Sequence, residues 1–430
     1  MSAGVVFIIF FLCLVCAVPI SISLGIVSIL PGAFDPSFTA SASYVIRSMF
    51  GGIDSFPLLA VPMFILSGLI MARGGISKRL FDLFAYFIGG LPAGLPCAVI
   101  ITCLFYGAIS GSGIATVAAV GSMTIPILVN LGYDKTFCTA LVAVAGALGV
   151  IIPPSIPFII FGMASGASVS DIFIAGIIPG CLIAFLLMIY AVFICIKQGE
   201  DKEKIGAEMK RLRDRGLIRV FCDSFFALMS PVIILGCIYS GVASPTEAAV
   251  ISVFYSLIIS VFVYKTIKAR EIYSILSEAI KTYAPILFIL AASTAFSRVL
   301  TLMQVPQTIS GWILSTFSSK IVILIVVNLF LLVVGMIMDT TPAILILTPI
   351  LMPIMTGIGV DPIHFGVFMV VNLAIGFVTP PIGVNLFVAS SMTEIPMMEI
   401  ARRALPLIVF NLIALVFITF IPQISLALLG

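Results

Sequence analysis

The chain has 430 residues, of which 62% are hydrophobic and 9% are charged. A soluble domain carries about 25% charged residues, so this composition excludes a water-soluble globule and indicates an integral membrane protein. Apolar stretches such as residues 5–18 do not alternate apolar with polar positions, which excludes a transmembrane β-barrel. The predicted fold class is therefore all-α, a polytopic bundle of membrane helices.

Composition and motifs also exclude several kinds of chemistry. The chain has one histidine, His364, and nine cysteines that are isolated except for Cys13 and Cys16. That pair lies inside an apolar run, which favours helix packing over zinc or redox chemistry. No G-x-x-x-x-G-K-[ST] motif occurs, so ATP hydrolysis through a P-loop is excluded. The net charge of +3 is too small to indicate a nucleic-acid partner, and no enzyme activity is predicted.

Hydropathy predicts the membrane-spanning segments, at about 20 residues per crossing. In chain order they are 4–29, 57–72, 135–165, 171–196, 221–241, 244–264, 283–303, 362–392 and 404–427. The first segment lacks a basic n-region and a clear cleavage site, so it is interpreted as a retained helix rather than a signal peptide.

The charge distribution predicts the topology. The longest polar segment, 197–219, is rich in Lys and Arg and is therefore cytoplasmic by the positive-inside rule. Counting crossings from it places 18 of the 21 basic residues inside, the N-terminus in the cytoplasm and the C-terminus in the periplasm. This count holds only if 95–129 and 321–356 leave the membrane on the side where they enter. Both are predicted to be re-entrant hairpins, the first opening inward and the second outward.

Each predicted hairpin turns at polar residues in the middle of an apolar stretch, around 110–113 and 339–342. Non-helical backbone at membrane depth persists only where it is buried in protein or lines a polar cavity. Each tip is therefore a candidate binding site.

The two halves of the chain repeat one another. A shift of 227 residues superimposes two Pro-Pro pairs, a flanking Gly and an Asp; the pairs are Pro153-Pro154 with Pro380-Pro381, Gly149 with Gly376, and Asp134 with Asp361. Because the hairpins open to opposite sides, the halves are predicted to be inverted copies, as in secondary transporters. The proline pairs are predicted to break helices 135–165 and 362–392 and to free carbonyls that bind a cation. The two aspartates are interpreted as N-caps.

Asp339 is the acidic residue at a hairpin tip. An ionised, unpaired carboxylate inside a membrane is unfavourable, so either a bound cation or a partner such as Arg298 is expected. Arg298 lies within a predicted span and has two open interpretations, a structural ion pair and a contact to a substrate carboxylate.

Four segments carry a family resemblance: G-A-I-S-G-S-G at 107–113, I-P-P-S at 152–155, S-P-T-E-A-A at 244–249 and T-P-P-I-G-V-N at 379–385. In this order they resemble the large membrane subunit of tripartite ATP-independent periplasmic (TRAP) transporters, and most of all the sialic-acid type. The resemblance implies an elevator-type, sodium-coupled importer in a bacterial inner membrane. It also implies two partners, a small four-helix membrane subunit and a periplasmic substrate-binding protein.

The resemblance further implies the site residues. A substrate would contact Ser110, Gly111, Ser112, Ser155 and Asn385, with Arg298 added in one of its two interpretations. Sodium, the coupling ion, would lie at two related places. The first comprises Ser110, Ser112, Gly113, Gly149, Pro153 and Pro154, and the second comprises Gly335, Asp339, Thr340, Thr341, Gly376, Thr379 and Pro380. Hydroxyl, carboxylate and carbonyl oxygens are the ligands that hard cations prefer.

In the elevator picture the domains interleave. A transport domain would comprise 57–165 and 283–392, and a scaffold would comprise 1–56, 166–282 and 393–430. Amphipathic stretches near 40–50 and 270–281 would be the connecting arms, one on each face.

Alternatives remain for the activity. A C4-dicarboxylate or another organic acid is the alternative substrate, and an ion channel is the alternative class. An intramembrane protease would need His364 beside Ser110 or Ser112, or a second acid beside Asp339, which the predicted topology disfavours.

Overall fold

The computed structural model describes residues 2–35, 37–317 and 319–429, and these residues fold mainly into helices joined by short turns. This confirms the predicted all-α fold class. The predicted domains also include four residues that lie outside the described residues: Met1, Pro36, Ser318 and Gly430.

The α-helices of the described chain are α1 (Ala3–Val15), α2 (Ile20–Phe34), α3 (Ala42–Ile53), α4 (Ala60–Arg73), α5 (Ile76–Ile88), α6 (Gly94–Ser110), α7 (Gly113–Asn130), α8 (Lys135–Ala145), α9 (Ile156–Ser165), α10 (Val169–Gln198), α11 (Lys202–Asp214), α12 (Leu217–Tyr239), α13 (Pro245–Ile258), α14 (Ala269–Leu302), α15 (Val305–Thr316), α16 (Lys320–Ile337), α17 (Thr340–Gly357), α18 (Pro362–Gly376), α19 (Val384–Thr393), α20 (Met397–Phe420) and α21 (Gln423–Leu426). Short 3-10 turns at Phe56–Leu59 and Gly146–Val150 precede α4 and follow α8, and a π-helical turn at Ile259–Val263 extends α13.

Nine helical segments of the described chain are long and apolar enough to cross a membrane. Five of them contain the predicted spans 57–72, 171–196, 221–241, 244–264 and 283–303, or match them within four residues, and a sixth, α20, overlaps the predicted span 404–427 but begins and ends seven residues earlier. The other three are α7, α16 and α17 of the predicted hairpins. These three helices are long enough to cross the membrane completely, so the prediction that the two hairpins re-enter it on one side stays a prediction.

The predicted single helix 4–29 is wrong. The chain breaks between α1 and α2, where Ala17 has a φ of 58° and Pro19 lacks a backbone donor. At 1.5 Å per residue, helices of 13 and 15 residues are about 20 and 22 Å long, shorter than the hydrocarbon core of about 30 Å. The side on which the N-terminus lies therefore stays a prediction.

Each half of the chain contains a pair of helices joined by a short turn, followed by a broken helix. The first pair, α6 and α7, packs together as a hairpin, whereas α16 makes few contacts with α17 and packs mainly against α18, so the second hairpin stays a prediction. Helices α6 and α7 meet at Gly111-Ser112, and α16 and α17 meet at Met338-Asp339. Each pair is followed by a helix that stops and restarts around a proline pair, α8/α9 in the first half and α18/α19 in the second. Both Pro-Pro peptide bonds are cis. The same four elements thus occur in the same order in each half.

The predicted arms differ from the observed connections. Residues 40–50 lie largely in α3, but 270–281 form no separate helix, because α14 runs unbroken for 34 residues. Helices α5 and α15, which the sequence analysis missed, link α4 to the first hairpin and α14 to the second. Each follows a residue with positive φ, Gly75 at 70° and Gln304 at 57°. These turns reverse the chain before each hairpin.

Packing groups some helices differently from the predicted domains. Helices α10 and α20, predicted for the scaffold, pack against each other and against α6, α8 and α18 of the repeats. The Nζ of Lys135 in α8 donates to the Thr393 carbonyl at 2.8 Å, which ties α8 to the end of α19. Conversely, α4 packs most extensively against α13 and α14. Which of these helices move together stays a prediction.

Candidate functional site

The tip of the first hairpin gathers hydroxyl and carbonyl oxygens. Helix α6 ends at Ser110, Gly111 turns the chain with a φ of 60°, and the Ser112 Oγ accepts from the Ala115 amide at 3.4 Å to cap α7. The Ser110 Oγ lies 3.1 Å from the Thr116 Oγ1 and 3.3 Å from the Ser112 carbonyl oxygen. Predicted residues Ser110 and Ser112 are therefore in contact, and Thr116, one turn after Ser112, joins them.

This tip packs directly on the break of the first repeat. The Ile156 amide donates to the Gly111 carbonyl at 3.4 Å. A Cβ atom at Gly107 would lie 2.7 Å from the Gly149 Cα, and one at Gly149 would lie 2.6 Å from the Ser112 carbonyl oxygen. Glycine is required at both positions because backbone meets backbone. The predicted pairing of Ser112 with Gly149 is thus present in the structure.

Asn385 comes from the second repeat and reaches the first tip. Its side chain is fully buried, and its Nδ2 donates to the Ala143 carbonyl at 3.1 Å. Its Oδ1 has no hydrogen-bond partner among the described residues, and a Cβ built on Gly113 would lie 3.4 Å from it. The structure therefore places Asn385 beside Gly113 of the first predicted cation cluster, and its predicted contact with substrate stays a prediction.

The second tip contacts its own break in a similar way. The Ile382 amide donates to the Met336 carbonyl at 3.4 Å. A Cβ at Gly335 would lie 3.4 Å from the Gly376 Cα, so glycine again allows two backbones to touch. Asp339 follows at the turn, directly before α17. Hence the predicted residues Gly335, Gly376 and Asp339 belong to one region of the fold.

Both tips line one cavity of about 740 Å³, which we call the hairpin cavity. Its walls include residues 110–115 of the first tip, residues 339–341 of the second tip, α4 from Ile65 to Arg73, and Glu278 and Thr282 of α14. The predicted residues that line it are Ser110, Gly111, Ser112, Gly113, Asp339, Thr340 and Thr341. A ligand in this cavity would touch both repeats at once.

Ser155 does not line the hairpin cavity. It is fully buried, its Oγ donates to the Val150 carbonyl at 2.5 Å and it accepts from the Phe158 amide at 3.4 Å. These bonds cap α9 after the proline pair. In this geometry Ser155 has a structural role, and its predicted contact with substrate stays a prediction.

Arg298 lines a different cavity of about 700 Å³, which we call the arginine cavity. Its guanidinium lies beside Gly51, whose missing side chain leaves room for it, and Ser55, Ser170 and Thr294 are among the polar lining residues. Within the described residues Arg298 makes no ion pair. The alternative in which Arg298 pairs with Asp339 is therefore wrong.

The two cavities open on opposite faces of the bundle. Glu278 lines the hairpin cavity and Arg298 the arginine cavity, and 20 residues of the continuous helix α14 separate them, a rise of about 30 Å. On the first face, the Arg215 guanidinium of the basic segment pairs with Asp82 of α5 at 3.0 Å. The hairpin cavity therefore shares its face with the 197–219 segment.

Sequence reasoning missed several residues of the hairpin cavity and its hydroxyl cluster. Thr116 lies one helical turn after Ser112, so a helical projection of α7 would have found it. The Tyr106 hydroxyl donates to the Gly68 carbonyl at 3.4 Å, and Glu278 and Thr282 enter from α14. For these three residues no local motif gives a signal.

The arrangement does not support the protease alternative. The His364 Nε2 lies 3.2 Å from the Thr419 carbonyl oxygen, and the imidazole lies 5.3 Å from the Phe368 ring. His364 does not line the hairpin cavity, which contains Ser110 and Ser112. Among the described residues, therefore, no serine is hydrogen-bonded to the His364 ring.

Helix pairs joined at polar tips, two helices broken at proline pairs and two cavities define the helical membrane fold of the described chain. Two solved structures share this fold. The YdaH transporter of Alcanivorax borkumensis matches with a TM-score of 0.66 at 14% identity, covering 95% of this chain and 97% of that one. The MtrF protein of Neisseria gonorrhoeae matches with a TM-score of 0.64 at 13% identity, covering 93% of each chain. At this identity the likeness concerns the fold alone.

The family is shown by sequence. Residues 7–424 match the family described as "Tripartite ATP-independent periplasmic transporter, DctM component", and the chain belongs to this family. The predicted identity as a TRAP large membrane subunit is thereby confirmed, and it is a transporter permease family rather than an enzyme family.

Curated relatives of this chain are named for different substrates. The isethionate TRAP permease DctMQ of Oleidesulfovibrio alaskensis is 44% identical over 98% of this chain, which spans 65% of that relative's length. The C4-dicarboxylate permease DctM of Pseudomonas aeruginosa is 40% identical over 88% of each chain. The sialic acid permease SiaM of Vibrio cholerae is 34% identical over 90% of this chain and 89% of its own length. The predicted sialic-acid type is therefore one of several.

Proposed function

We propose that this chain is the permease of a sodium-coupled importer that carries a small organic anion across a bacterial inner membrane. The observation that carries the proposal is the hairpin cavity, because both tips line it. Helix α7 begins at Gly113 in the cavity wall, and a helix N-terminus carries partial positive charge that favours an anion. Ser110 and Ser112 supply hydroxyl donors beside that helix end.

Sodium fits the oxygen-rich contacts between tips and breaks. At the first place the candidate ligands are the oxygens of Ser112 and Thr116, together with the Asn385 Oδ1. A buried acceptor without a partner costs about 1–3 kcal/mol, and a bound cation would remove that cost. At the second place Asp339 supplies a carboxylate and the break supplies carbonyls around Gly376. Sodium bound there would offset the charge of Asp339 in the membrane.

The substrate is proposed to be a carboxylate or sulfonate. Isethionate, C4-dicarboxylates and sialic acid are the anions named for the relatives, and sialic acid is also the one predicted from the resemblance. A cavity of about 740 Å³ lies within the usual range for small-molecule sites, about 300–1,000 Å³. The cavity volume is therefore compatible with all three anions, and transport assays are needed to identify which one is carried.

Alternating access is proposed to follow an elevator mechanism. The Asn385 and Lys135 bonds to Ala143 and Thr393 join the two repeats across the chain, which favours movement of the repeats as one body. The hairpin cavity opens to the face of the 197–219 segment, here assigned to the cytoplasm, so the conformation is proposed to be inward-facing. The arginine cavity on the other face would receive the anion, with Arg298 attracting it there.

Two partners are proposed, a small four-helix membrane subunit and a periplasmic substrate-binding protein. The test is uptake into liposomes that contain this chain with both partners. Radiolabelled isethionate, succinate and sialic acid are supplied separately, with and without an inward sodium gradient. Saturable uptake of one anion that needs both sodium and the binding protein is expected. A passive conductance independent of both would establish the channel instead.

A further inference from the structure

Four charged side chains line the hairpin cavity among the described residues: Arg73, Lys78, Glu278 and Asp339. The first and third form an ion pair that joins α4 to α14. The Arg73 guanidinium also donates to the Ser274 Oγ at 3.3 Å. The side chains of Arg73 and Glu278 are 40% and 45% exposed, so the pair stands in the open part of the cavity rather than in the core.

The pair lies between the first hairpin tip and the face of the 197–219 segment. Gly68 of α4 touches the tip, since a Cβ there would lie 3.1 Å from the Ser110 Cα. Arg73 follows five residues later, at the end of α4, about 7.5 Å further along the helix axis. Arg73 therefore lies in the cavity wall between the tip and this face.

We propose that Glu278 is a release-side residue that neutralises Arg73, so that an anion leaving the hairpin tips is held less tightly at the cavity opening, where Lys78 is the other basic lining residue among the described residues. The inference rests on the proposed function, since it assumes an anionic substrate released on this face. For an anion about 7.5 Å from the Glu278 carboxylate, removal of that charge changes the affinity by about three- to fortyfold, for effective dielectric constants of about 80 to 20. Glu278 thus controls the affinity of the cavity opening for the transported anion.

The electrostatic step is tested without any transport. A neutral fluorophore is attached to Ala118→Cys, an exposed position of the cavity wall, in a cysteine-depleted chain assembled with its partners. Quenching by iodide is compared with quenching by uncharged acrylamide. Glu278→Gln should raise the iodide-to-acrylamide ratio, and Arg73→Gln should lower it. Ratios that do not differ between these variants would overturn the inference.

A matched control comes from the same face of the protein. Glu208 pairs with Arg211 at 3.8 Å, with side chains 43% and 83% exposed, and neither residue lines the hairpin cavity. Glu208→Gln removes the same charge from a comparable exposed pair, so the quenching ratio should stay at the wild-type value. An equal rise in Glu208→Gln would show a long-range surface effect and contradict a role specific to Glu278.

The release step is tested by loading liposomes with unlabelled isethionate, succinate or sialic acid and measuring uptake of the same labelled anion. In Glu278→Gln the internal concentration that halves uptake should fall by about three- to fortyfold, with the external KM unchanged. Arg73→Gln should shift it the other way, and the double variant should return near wild type. Equal shifts in both single variants would indicate packing damage and refute the proposal. If wild type carries none of the three anions, the proposed substrate class fails, while the quenching experiment still decides the inference.

Discussion

Replacing Asp339 by Asn keeps the size of the side chain at the second tip and removes its charge. If the carboxylate ligates sodium, the change should raise the sodium concentration for half-maximal uptake. A hydrogen bond or contact to a charged group contributes about 1.5–3 kcal/mol, which corresponds to a shift of roughly ten- to hundredfold. Because Arg298 lines the other cavity, the substitution breaks no ion pair with it, and the thermal stability should stay close to wild type.

The assay is a sodium titration of uptake at saturating substrate, together with a Tm measurement on the purified protein. Asp361→Asn is the matched control, since Asp361 lies at the corresponding start of a helix and caps α18. Its Oδ1 accepts from the Ile363 and His364 amides at 2.8 and 3.2 Å, bonds that an asparagine oxygen also makes. An Asp339→Asn variant with unchanged sodium dependence and a lowered Tm would refute the ligand assignment.

The remaining predictions use the same assays. Ser110→Ala should raise the apparent substrate constant by about two- to hundredfold, the range for a lost hydrogen bond to a neutral or charged group. Ser155→Ala should leave that constant unchanged and lower the free energy of unfolding by about 1 kcal/mol, because α9 loses its N-cap. A raised substrate constant only in Ser155→Ala would reverse these roles. Gly376→Ala should give little folded protein in gel filtration, because its methyl group would overlap the backbone of α16; a monodisperse variant would contradict this. Cysteines at Lys204 and Lys320 should react with an impermeant reagent from opposite sides of the membrane, and labelling from one side would overturn the topology.

Local signals account for the parts of the fold that the sequence predicts correctly. A proline pair inside an apolar stretch interrupts a helix wherever it lies, so the breaks at 153–154 and 380–381 were predictable from a few residues. The first hairpin was predictable in the same way, because its glycines and serines favour a turn. The split of 4–29 had a weaker signal, a single Pro19, and hydropathy averages over it.

Long-range contacts account for the parts that the sequence did not predict. The boundary expected between 270–281 and 283–303 follows a change in polarity, but helical hydrogen bonds continue through it, and α14 tolerates Pro285 in its interior. Asn385 lies beside the first predicted cation cluster only because the fold brings it to the Ala143 carbonyl. The same holds for Glu278, whose place in the cavity depends on how α14 packs beside α4.

The bond between Asn385 and Ala143 also has a consequence for biosynthesis. It joins residues 242 positions apart, and at about 5–20 residues per second a ribosome needs about 12–48 s to add the intervening chain. During that time the Ala143 carbonyl lacks the Asn385 amide, and the space beside Gly113 lacks the Asn385 side chain. Until α19 is made, the first half of the chain therefore lacks a polar contact that the complete fold has. A chain that ends before α19 should accordingly be recognised by membrane quality control as unfinished, even though its own hairpin and broken helix are complete.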